Sequence, residues 1–304
     1  MAQVGVMIEA QEGLTWERWR RIVRDAERLG FASLRVSDHC QSVAAAEERD
    51  SLAAWPALAL AAEWTQRIQL GPMVSPMTFY VPAVLGRIAR AVDELSNGRL
   101  IMGVGAGWNE AEHRAFGIPL PGWRERFDRL EEGIRRIRQT FDGRDIPFLI
   151  GGGGERRTRD VTAREASEWN YLAPDVETFQ EKSAALDERC REIGREPSEI
   201  RRSLMRGYLL GRNRDELLGR IGRLAGVVPR LRSLEPEAAI ESLRERWFIG
   251  TPEEVVGQMR RYAEAGVDLF MLQHFLLDDA DALELLAREV VPGLADVGAS
   301  PRTI

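Results

Sequence analysis

Short apolar runs alternate with amphipathic segments along most of the chain. Runs such as Val4–Ile8 and Ile68–Val74 have the length and composition of buried β-strands. In the segments between such runs, apolar residues recur every three or four positions, as they do on the buried face of a helix. The first of these segments extends from Trp16 to Leu29, and Gly30 follows it as a typical helix end. The pattern therefore predicts strands and helices in alternation.

Eight units, each a strand followed by a helix, can be traced in this way. The predicted strands are Val4–Ile8, a strand within Ser33–Cys40, Ile68–Val74, Arg99–Gly105, Ile146–Ile150, Glu168–Leu172, Arg202–Leu210 and Val267–Leu272. The predicted helices include Trp16–Leu29, Leu52–Gln66, Pro82–Ser96, Arg124–Phe141, Glu155–Ala166, Val176–Ile193, a helix from a capping box at Thr251 to Gly266, and Ala280–Val291.

Such a series without a break in composition is typical of the α/β class and of a single (β/α)8 or TIM barrel. A doubly wound sheet would place a glycine-rich dinucleotide motif after its first strand, and Gln11–Thr15 carries no such motif. We therefore expect one domain over residues 1–304. The regular pattern loosens between Asp215 and Arg246, which predicts an insertion at about residues 213–249, before the last strand.

Composition narrows the class of partner. A formal net charge of −6 and 44% hydrophobic residues describe a folded protein that binds neither nucleic acid nor an anionic membrane. No apolar run has the length of a membrane span, and the first residues lack the pattern of a secretion signal. Cys40 and Cys190 lie far apart, which favours a reducing cytoplasm over a disulfide framework. The basic residues are arginines, apart from Lys182.

The strongest candidates for chemistry follow the first two strands. Ser37, Asp38 and His39 come directly after the second strand, at the end of a barrel where active sites gather. His39 is one of three histidines, and an imidazole suits acid–base work near neutral pH. Glu9, after the first strand, is a candidate for the pocket floor or for a second proton-handling group. The alternative is a solvated histidine at a capped strand end.

Two glycine-rich turns follow the fourth and fifth strands, Gly103–Asn109 and Gly151–Gly154. Glycine lets backbone N–H groups approach a phosphate, and a helix N-terminus adds a favourable field. Arg156, Arg157 and Arg159 come directly after the second turn and can supply positive charge. Either turn alone can be a tight turn that requires positive φ. Together they predict a site for a phosphorylated ligand.

The loop from Trp108 to Trp123 is expected to form a wall or lid over the barrel mouth. It carries His113 in a Glu-rich segment that we expect to be exposed. Trp108, Trp123, Phe79 and Tyr80 are candidates for an apolar substrate wall, although aromatic residues also serve as core.

Hydrolases fit the sequence poorly. Metal-dependent hydrolase barrels need several converging ligands, and three scattered histidines do not supply them, so no metal site is expected. No G-x-S-x-G motif occurs, and Cys40 has no evident partner beyond the adjacent His39.

Motifs at the strand ends resemble the luciferase-like monooxygenase superfamily. The matching stretches are Leu34–His39, Leu70–Val74, Asn97–Trp108 and Ile150–Glu155, and the similarity continues to Gly250–Val255 and the final strand. Within the superfamily, these stretches look most like the oxidoreductases that use the deazaflavin coenzyme F420.

The resemblance implies roles for individual residues. In the deazaflavin members, the histidine after Ser-Asp lies near the reactive ring carbon and the aspartate contacts the polar edge of the ring; these roles map to His39 and Asp38. A non-proline cis peptide behind the ring maps to Met73–Val74, with Ser75–Pro76 as the alternative. Residues and resemblance together predict cofactor contacts from Asp38, Met73, Val74, Ser75, Gly105, Ala106, Gly107, Asn109, Gly151, Gly152, Gly153 and Arg156, and substrate contacts from Trp108, His113 and Phe79.

The resulting hypothesis is an F420-dependent oxidoreductase that transfers a hydride between the deazaflavin and a small organic substrate. One alternative is a monooxygenase of the same fold that uses reduced flavin mononucleotide (FMN) and oxygen. A second alternative is a barrel that binds either cofactor without turnover. The resemblance also implies a homodimer.

Overall fold

The strands in the described part of the chain, residues 2–45 and 49–297 of the computed structural model, form one parallel sheet. Adjacent strands follow the order β3-β2-β1-β10-β8-β7-β6-β5-β4, and β9 pairs with β8. The strands are β1 (Gln3–Ile8), β2 (Ser33–Val36), β3 (Gln69–Pro72), β4 (Ser75–Pro76), β5 (Met102–Gly105), β6 (Phe148–Gly151), β7 (Glu168–Tyr171), β8 (Arg201–Leu210), β9 (Trp247–Gly250) and β10 (Leu269–Gln273).

The sheet closes into a barrel between β3 and β5. A parallel bridge joins Leu70 to Leu100, and the N–H of Ile101 donates to the carbonyl of Leu70 at 2.8 Å. Two glycines permit this close approach: a Cβ on Gly71 would collide with the carbonyl oxygen of Ile101, and one on Gly103 with that of Pro72. The predicted (β/α)8 architecture is confirmed.

Helices surround the barrel, and their caps follow the local sequence. The helices are α1 (Trp16–Leu29), α2 (Ala54–Trp64), α3 (Pro82–Leu95), α4 (Glu110–Ala115), α5 (Trp123–Gln139), α6 (Arg157–Glu165), α7 (Val176–Glu192), α8 (Arg214–Val227), α9 (Pro236–Leu243), α10 (Pro252–Glu264) and α11 (Ala280–Leu285). Helix α1 ends at Gly30 with φ of 78°, and Thr251 and Glu254 form the expected capping box of α10. Among the described helices, none has the length and apolar character that crossing a bilayer requires.

The core has an outer and an inner part. Apolar residues between the strands and the helices form the larger part, and a smaller cluster fills the inside of the barrel. The inner cluster includes Met7, Ile101, Leu149 and Met271. Charged side chains lie beside it, because Glu168 accepts from the guanidinium groups of Arg35 at 3.2 Å and Arg201 at 2.5 Å, and all of these side chains are nearly inaccessible to solvent.

The region predicted as an insertion contains more regular structure than its pattern indicates. Helices α8 and α9 pack through a small apolar cluster of their own, which includes Ile221, Leu224 and Ile240. After them comes β9, which pairs in parallel with the second half of β8. Strand β9 is not among the predicted strands, because Trp247–Gly250 is too short for its apolar residues to indicate a period.

Candidate functional site

The carboxyl ends of the strands open into a cavity of about 720 Å³. Predicted site residues on its wall are Glu9, Asp38, His39, Met73, Val74, Gly105, Ala106, Gly107, Trp108, Asn109, His113, Gly151 and Gly152. Residues on the wall that the sequence analysis did not single out include Gln11, Glu112, Arg126, Thr158, Asn170, Met205, Gln273 and Phe275. The barrel thus brings most of the predicted residues into one cavity.

The ring of His39 is held by Glu112. The Nδ1 atom of His39 lies 2.9 Å from Oε2 of Glu112, whose side chain is 1% exposed. The other carboxylate oxygen of Glu112 accepts the backbone N–H of Cys40. Burial lowers the pKa of His39, but the hydrogen bond and charge of Glu112, with the charges of Glu9 and Asp38, raise that pKa above its ordinary value.

Glu112 responds in the opposite sense. Burial raises its pKa, but the hydrogen bonds from His39 and from the N–H of Cys40 hold that pKa below its ordinary value. The two groups therefore form a pair in which the carboxylate stays ionised and the imidazole accepts a proton readily.

Glu112 is a site residue that the sequence analysis missed. It lies in α4, where the side-chain oxygen of Asn109 accepts the N–H of Glu112 at 3.2 Å and so starts the helix. The Asn-x-x-Glu spacing was the available signal, because a cap followed by Glu three residues later marks a helix start. In this helix the Glu side chain extends to His39 rather than back to the cap.

Asp38 is buried in a network of hydroxyl groups. The hydroxyl of Ser75 donates to its Oδ2 atom, and the hydroxyl of Tyr80 lies 3.0 and 2.9 Å from its two oxygens. The indole N–H of Trp55 donates to Ser75 Oγ at 3.2 Å. Burial raises the pKa of Asp38, against the opposing effect of the Ser75 and Tyr80 bonds. Tyr80, expected as part of a substrate wall, instead orients Asp38.

Glu9 is held by carboxamide groups on the cavity wall. Gln273 donates to its Oε1 atom at 2.6 Å, and Gln11 donates to its Oε2 atom at 3.0 Å. Gln11 in turn accepts from the hydroxyl of Ser37, which links the ends of β1 and β2. The carboxylate of Glu9 therefore has a fixed orientation within the cavity.

The expectation that His113 is exposed is wrong. His113 is 2% exposed, with Nε2 at 2.8 Å from Thr78 Oγ1 and Nδ1 at 2.7 Å from the carbonyl oxygen of Asn109. The face of α4 that carries His113 packs against Thr78 and Phe79. The polar sequence of α4 does not indicate this contact. Phe79 is not on the cavity wall and packs against the His113 ring, with centroids 4.5 Å apart.

The segment between β3 and β4 lies between the two glycine-rich turns. The peptide bond Met73–Val74 is cis, as the resemblance implied, and Ser75–Pro76 is not among the cis bonds of the described residues. The Val74 side chain packs so closely on Gly105 that a Cβ there would collide with it, and it also lies beside Gly151. Because Gly105 and Gly151 carry no side chains, the Met73–Val74 segment and the two turns stay open to the cavity.

The second glycine-rich turn leads into α6. The indole of Trp169 donates to the carbonyl of Gly152 at 2.9 Å, and no side chain caps the start of α6. Arg157 pairs with Asp128 and Glu131, at 2.7 Å each, so its charge is already matched. Gly153 and Arg156 lie outside the main cavity, on the wall of a neighbouring one.

The structure supports neither a reactive thiol at Cys40 nor a metal site among the described residues. Burial and the charge of Glu112 raise the pKa of Cys40 to about 11, so the thiol is protonated near neutral pH. In the described ranges, no group of at least three His, Cys, Asp or Glu side chains is arranged to hold a metal ion.

Comparisons with known proteins place these features in context. The family model for luciferase-like monooxygenases matches residues 1–269. An F420-dependent glucose-6-phosphate dehydrogenase of Intrasporangium calvum is 28% identical over 97% of this chain and 99% of its own. An F420-dependent hydroxymycolic acid dehydrogenase of Mycobacterium tuberculosis is 27% identical over 96% of this chain and 88% of its own. In fold, the chain is similar to an F420-dependent secondary alcohol dehydrogenase solved with an F420–acetone adduct (TM-score 0.81, 19% identity, 97% and 99% coverage).

Proposed function

Because this chain belongs to the luciferase-like monooxygenase family, we propose that it is an oxidoreductase that uses coenzyme F420 to move a hydride to or from a small organic substrate. The observation that carries the chemical part of the proposal is the imidazole of His39, held by Glu112 on the wall of a large cavity. The cofactor assignment is supported by full-length relatives named as F420-dependent dehydrogenases.

The residues present fit a deazaflavin with a phosphate. The cavity wall includes an apolar segment at Met73 and Val74 and the hydroxyl-bound carboxylate of Asp38. The turn at Gly151 and Gly152 leads to the uncapped start of α6, where Thr158 is buried and lines the cavity. The backbone N–H groups of an uncapped helix start and a nearby hydroxyl are the donors that a phosphate needs. F420, when bound, supplies the two-electron acceptor or donor for the hydride.

The side chains of the protein transfer the substrate proton and orient the groups that react. His39 takes the hydroxyl proton of an alcohol substrate as the carbonyl forms, or donates it in the reverse direction. Glu112 fixes the His39 ring and stabilises its protonated form. Trp108, with its ring 5.8 Å from that of His39, contributes an apolar surface that limits access of water to the reacting groups.

A binding titration tests the cofactor assignment. Trp108 lies on the cavity wall, so we expect F420 to quench the tryptophan fluorescence of the protein at concentrations at which FMN has little effect. A preference for FMN would instead favour the oxygen-using monooxygenase, and saturable binding with no turnover on any alcohol or carbonyl compound would favour a non-catalytic barrel. The absence of binding by either compound would overturn the proposed function.

We further propose a homodimer that forms through α2 and α3 and acts in the cytoplasm. Val81, directly before α3, and Val84, Ile88 and Leu95 within it recur at helical spacing and are 67%, 57%, 36% and 47% exposed. Leu60 on α2 is 37% exposed. A symmetric pairing of this surface with a second copy would bury it. The cytoplasm is supported by Cys40 and Cys190, both of which are free thiols.

An Ile88→Glu substitution is expected to convert the dimer to a monomer, because it places a charge at the centre of the apolar stripe. Light scattering coupled to size exclusion gives the mass of each species. Leu234→Glu is the matched control, since Leu234 is 39% exposed and lies between α8 and α9. A monomeric wild type, or a dimeric Ile88→Glu variant, would contradict the proposal.

A further inference from the structure

A second cavity, of about 320 Å³, lies next to the main one. It is formed by Gly152–Gly154, by the first half of α6 and by the middle of α7. Gly152 and Thr158 line both cavities, so the two spaces meet at the turn proposed above for the phosphate. The second cavity continues from that turn toward the outside of the barrel, between α6 and α7.

The cations on its wall are only partly matched by carboxylates. Arg156 and Arg159 have no carboxylate within ion-pair distance in the described part of the chain, although the intervening Arg157 has two. The Nζ atom of Lys182 lies 3.9 Å from a carboxylate oxygen of Glu155. The Glu155 side chain is 91% exposed, so solvent weakens this ion pair. Glu181 is also on the wall. The positive charge of Arg156 and Arg159 and the N-terminus of α6 favour an anionic ligand.

Buried polar atoms in this cavity also lack partners. Thr162 is fully buried, and its Oγ1 atom has no hydrogen-bond partner among the described residues. The Nε atom of Arg159 is also buried without a hydrogen-bond partner among the described residues. No side chain caps the start of α6. Unpaired buried polar atoms are rare in folded proteins because each one costs free energy. Their grouping on one wall therefore indicates a ligand that pairs with them.

We propose that this cavity binds the anionic extension of F420 beyond its phosphate. F420 continues from the phosphate into a lactyl-oligoglutamate tail with several carboxylates, whereas FMN ends at the phosphate. Arg156, Arg159 and Lys182 are the carboxylate-binding side chains in this assignment. The inference rests on the proposed function, and it adds a physical reason for a preference between the two cofactors.

Binding titrations separate this subsite from the rest of the cofactor site. The ligands are F420 with several glutamates, the same cofactor without glutamates, and FMN. The proteins are wild type and the Arg159→Gln, Lys182→Gln and double variants, with Arg24→Gln on the exposed face of α1 as the control. Loss of each cation is expected to weaken binding of the glutamate-bearing form about two- to fivefold, the range for exposed ion pairs. Affinities for the other two ligands should not change.

The only lysine in the sequence allows a second, independent readout. An amine-selective reagent modifies the ε-amino group of Lys182, which mass spectrometry of the peptide quantifies. We expect the glutamate-bearing F420 to protect Lys182 at saturation and the form without glutamates to leave it reactive. Equal protection by both forms, or equal affinity for both in wild type, would overturn the tail assignment while leaving F420 dependence intact. If no deazaflavin binds, the proposed function fails with it.

Discussion

The His39→Ala variant is expected to lose about 10²- to 10⁴-fold in the rate of hydride transfer, the range for removal of a general acid or base. Its affinity for F420 should remain close to that of wild type, because His39 is proposed to act on the substrate proton. Stopped-flow absorbance of the deazaflavin gives the rate, and fluorescence titration gives the affinity. A variant with full rate would contradict the role of His39, whereas equal loss of rate and affinity would indicate a binding role.

Two further variants make this experiment specific. Cys40→Ala is the matched control, since it alters the neighbouring side chain and keeps the backbone N–H that Glu112 accepts. Glu112→Gln keeps the size of the side chain and removes its charge. Because the hydrogen bond and charge of Glu112 raise the pKa of His39 against the effect of burial, the variant should have a lower His39 pKa. The pH dependence of the rate should then shift toward lower pH.

Proton NMR of the imidazole signals measures this pKa directly. Burial lowers the pKa of His274 to about 4, so His274 does not titrate near neutral pH. The sign for stability follows from the raised pKa of His39: its contribution is present below the ordinary value of 6.5 and is lost as pH rises through the folded value. The destabilisation by Glu112→Gln should therefore be larger at pH below 6.5 than in alkaline solution. An unchanged His39 pKa would show that Glu112 does not act through this ring.

The Glu168→Gln variant is expected to lose about 3–5 kcal/mol of unfolding free energy, the cost of breaking a buried ion pair from one side. Glu168 is the carboxylate between Arg35 and Arg201 inside the barrel, and the substitution leaves two buried guanidinium groups without a counter-charge. Burial already lowers the pKa of Arg35 to about 10, despite the opposing charge of Glu168. Urea unfolding followed by circular dichroism measures the change.

The control for this variant is Glu165→Gln, which removes a carboxylate from a more exposed pair with Arg138. That change should cost less than about 1 kcal/mol. Burial raises the pKa of Glu168, but Arg201 and Arg35 hold it below the ordinary value of 4.5, so its contribution is present above that pH and is lost on acidification. Similar costs for the two variants at neutral pH would show that the ion pairs inside the barrel do not stabilise the fold.

Local sequence determined much of this protein. The alternation of apolar runs with amphipathic segments is sufficient to predict the barrel. The spacing of apolar residues that distinguishes a strand from a helix is set by residues close together in the sequence. The same holds for the end of α1 at Gly30 and the capping box of Thr251 and Glu254. The position of Asp38 and His39 at a strand end also follows, since parallel strands in a barrel present their carboxyl ends on one side.

Only the tertiary structure decided which side chains meet. Glu112 and His39 are 73 residues apart, and Tyr80 and Asp38 are 42 apart. Their contacts depend on how α4 and the segment after β4 fold over the barrel mouth, and neither segment has an apolar period that indicates its position. His113 was misjudged for the same reason: a polar segment is exposed as an isolated helix, but packing against Thr78 and Phe79 buries one of its faces. Periodicity reports neighbours along the chain, whereas the chemistry of this cavity depends on neighbours across it.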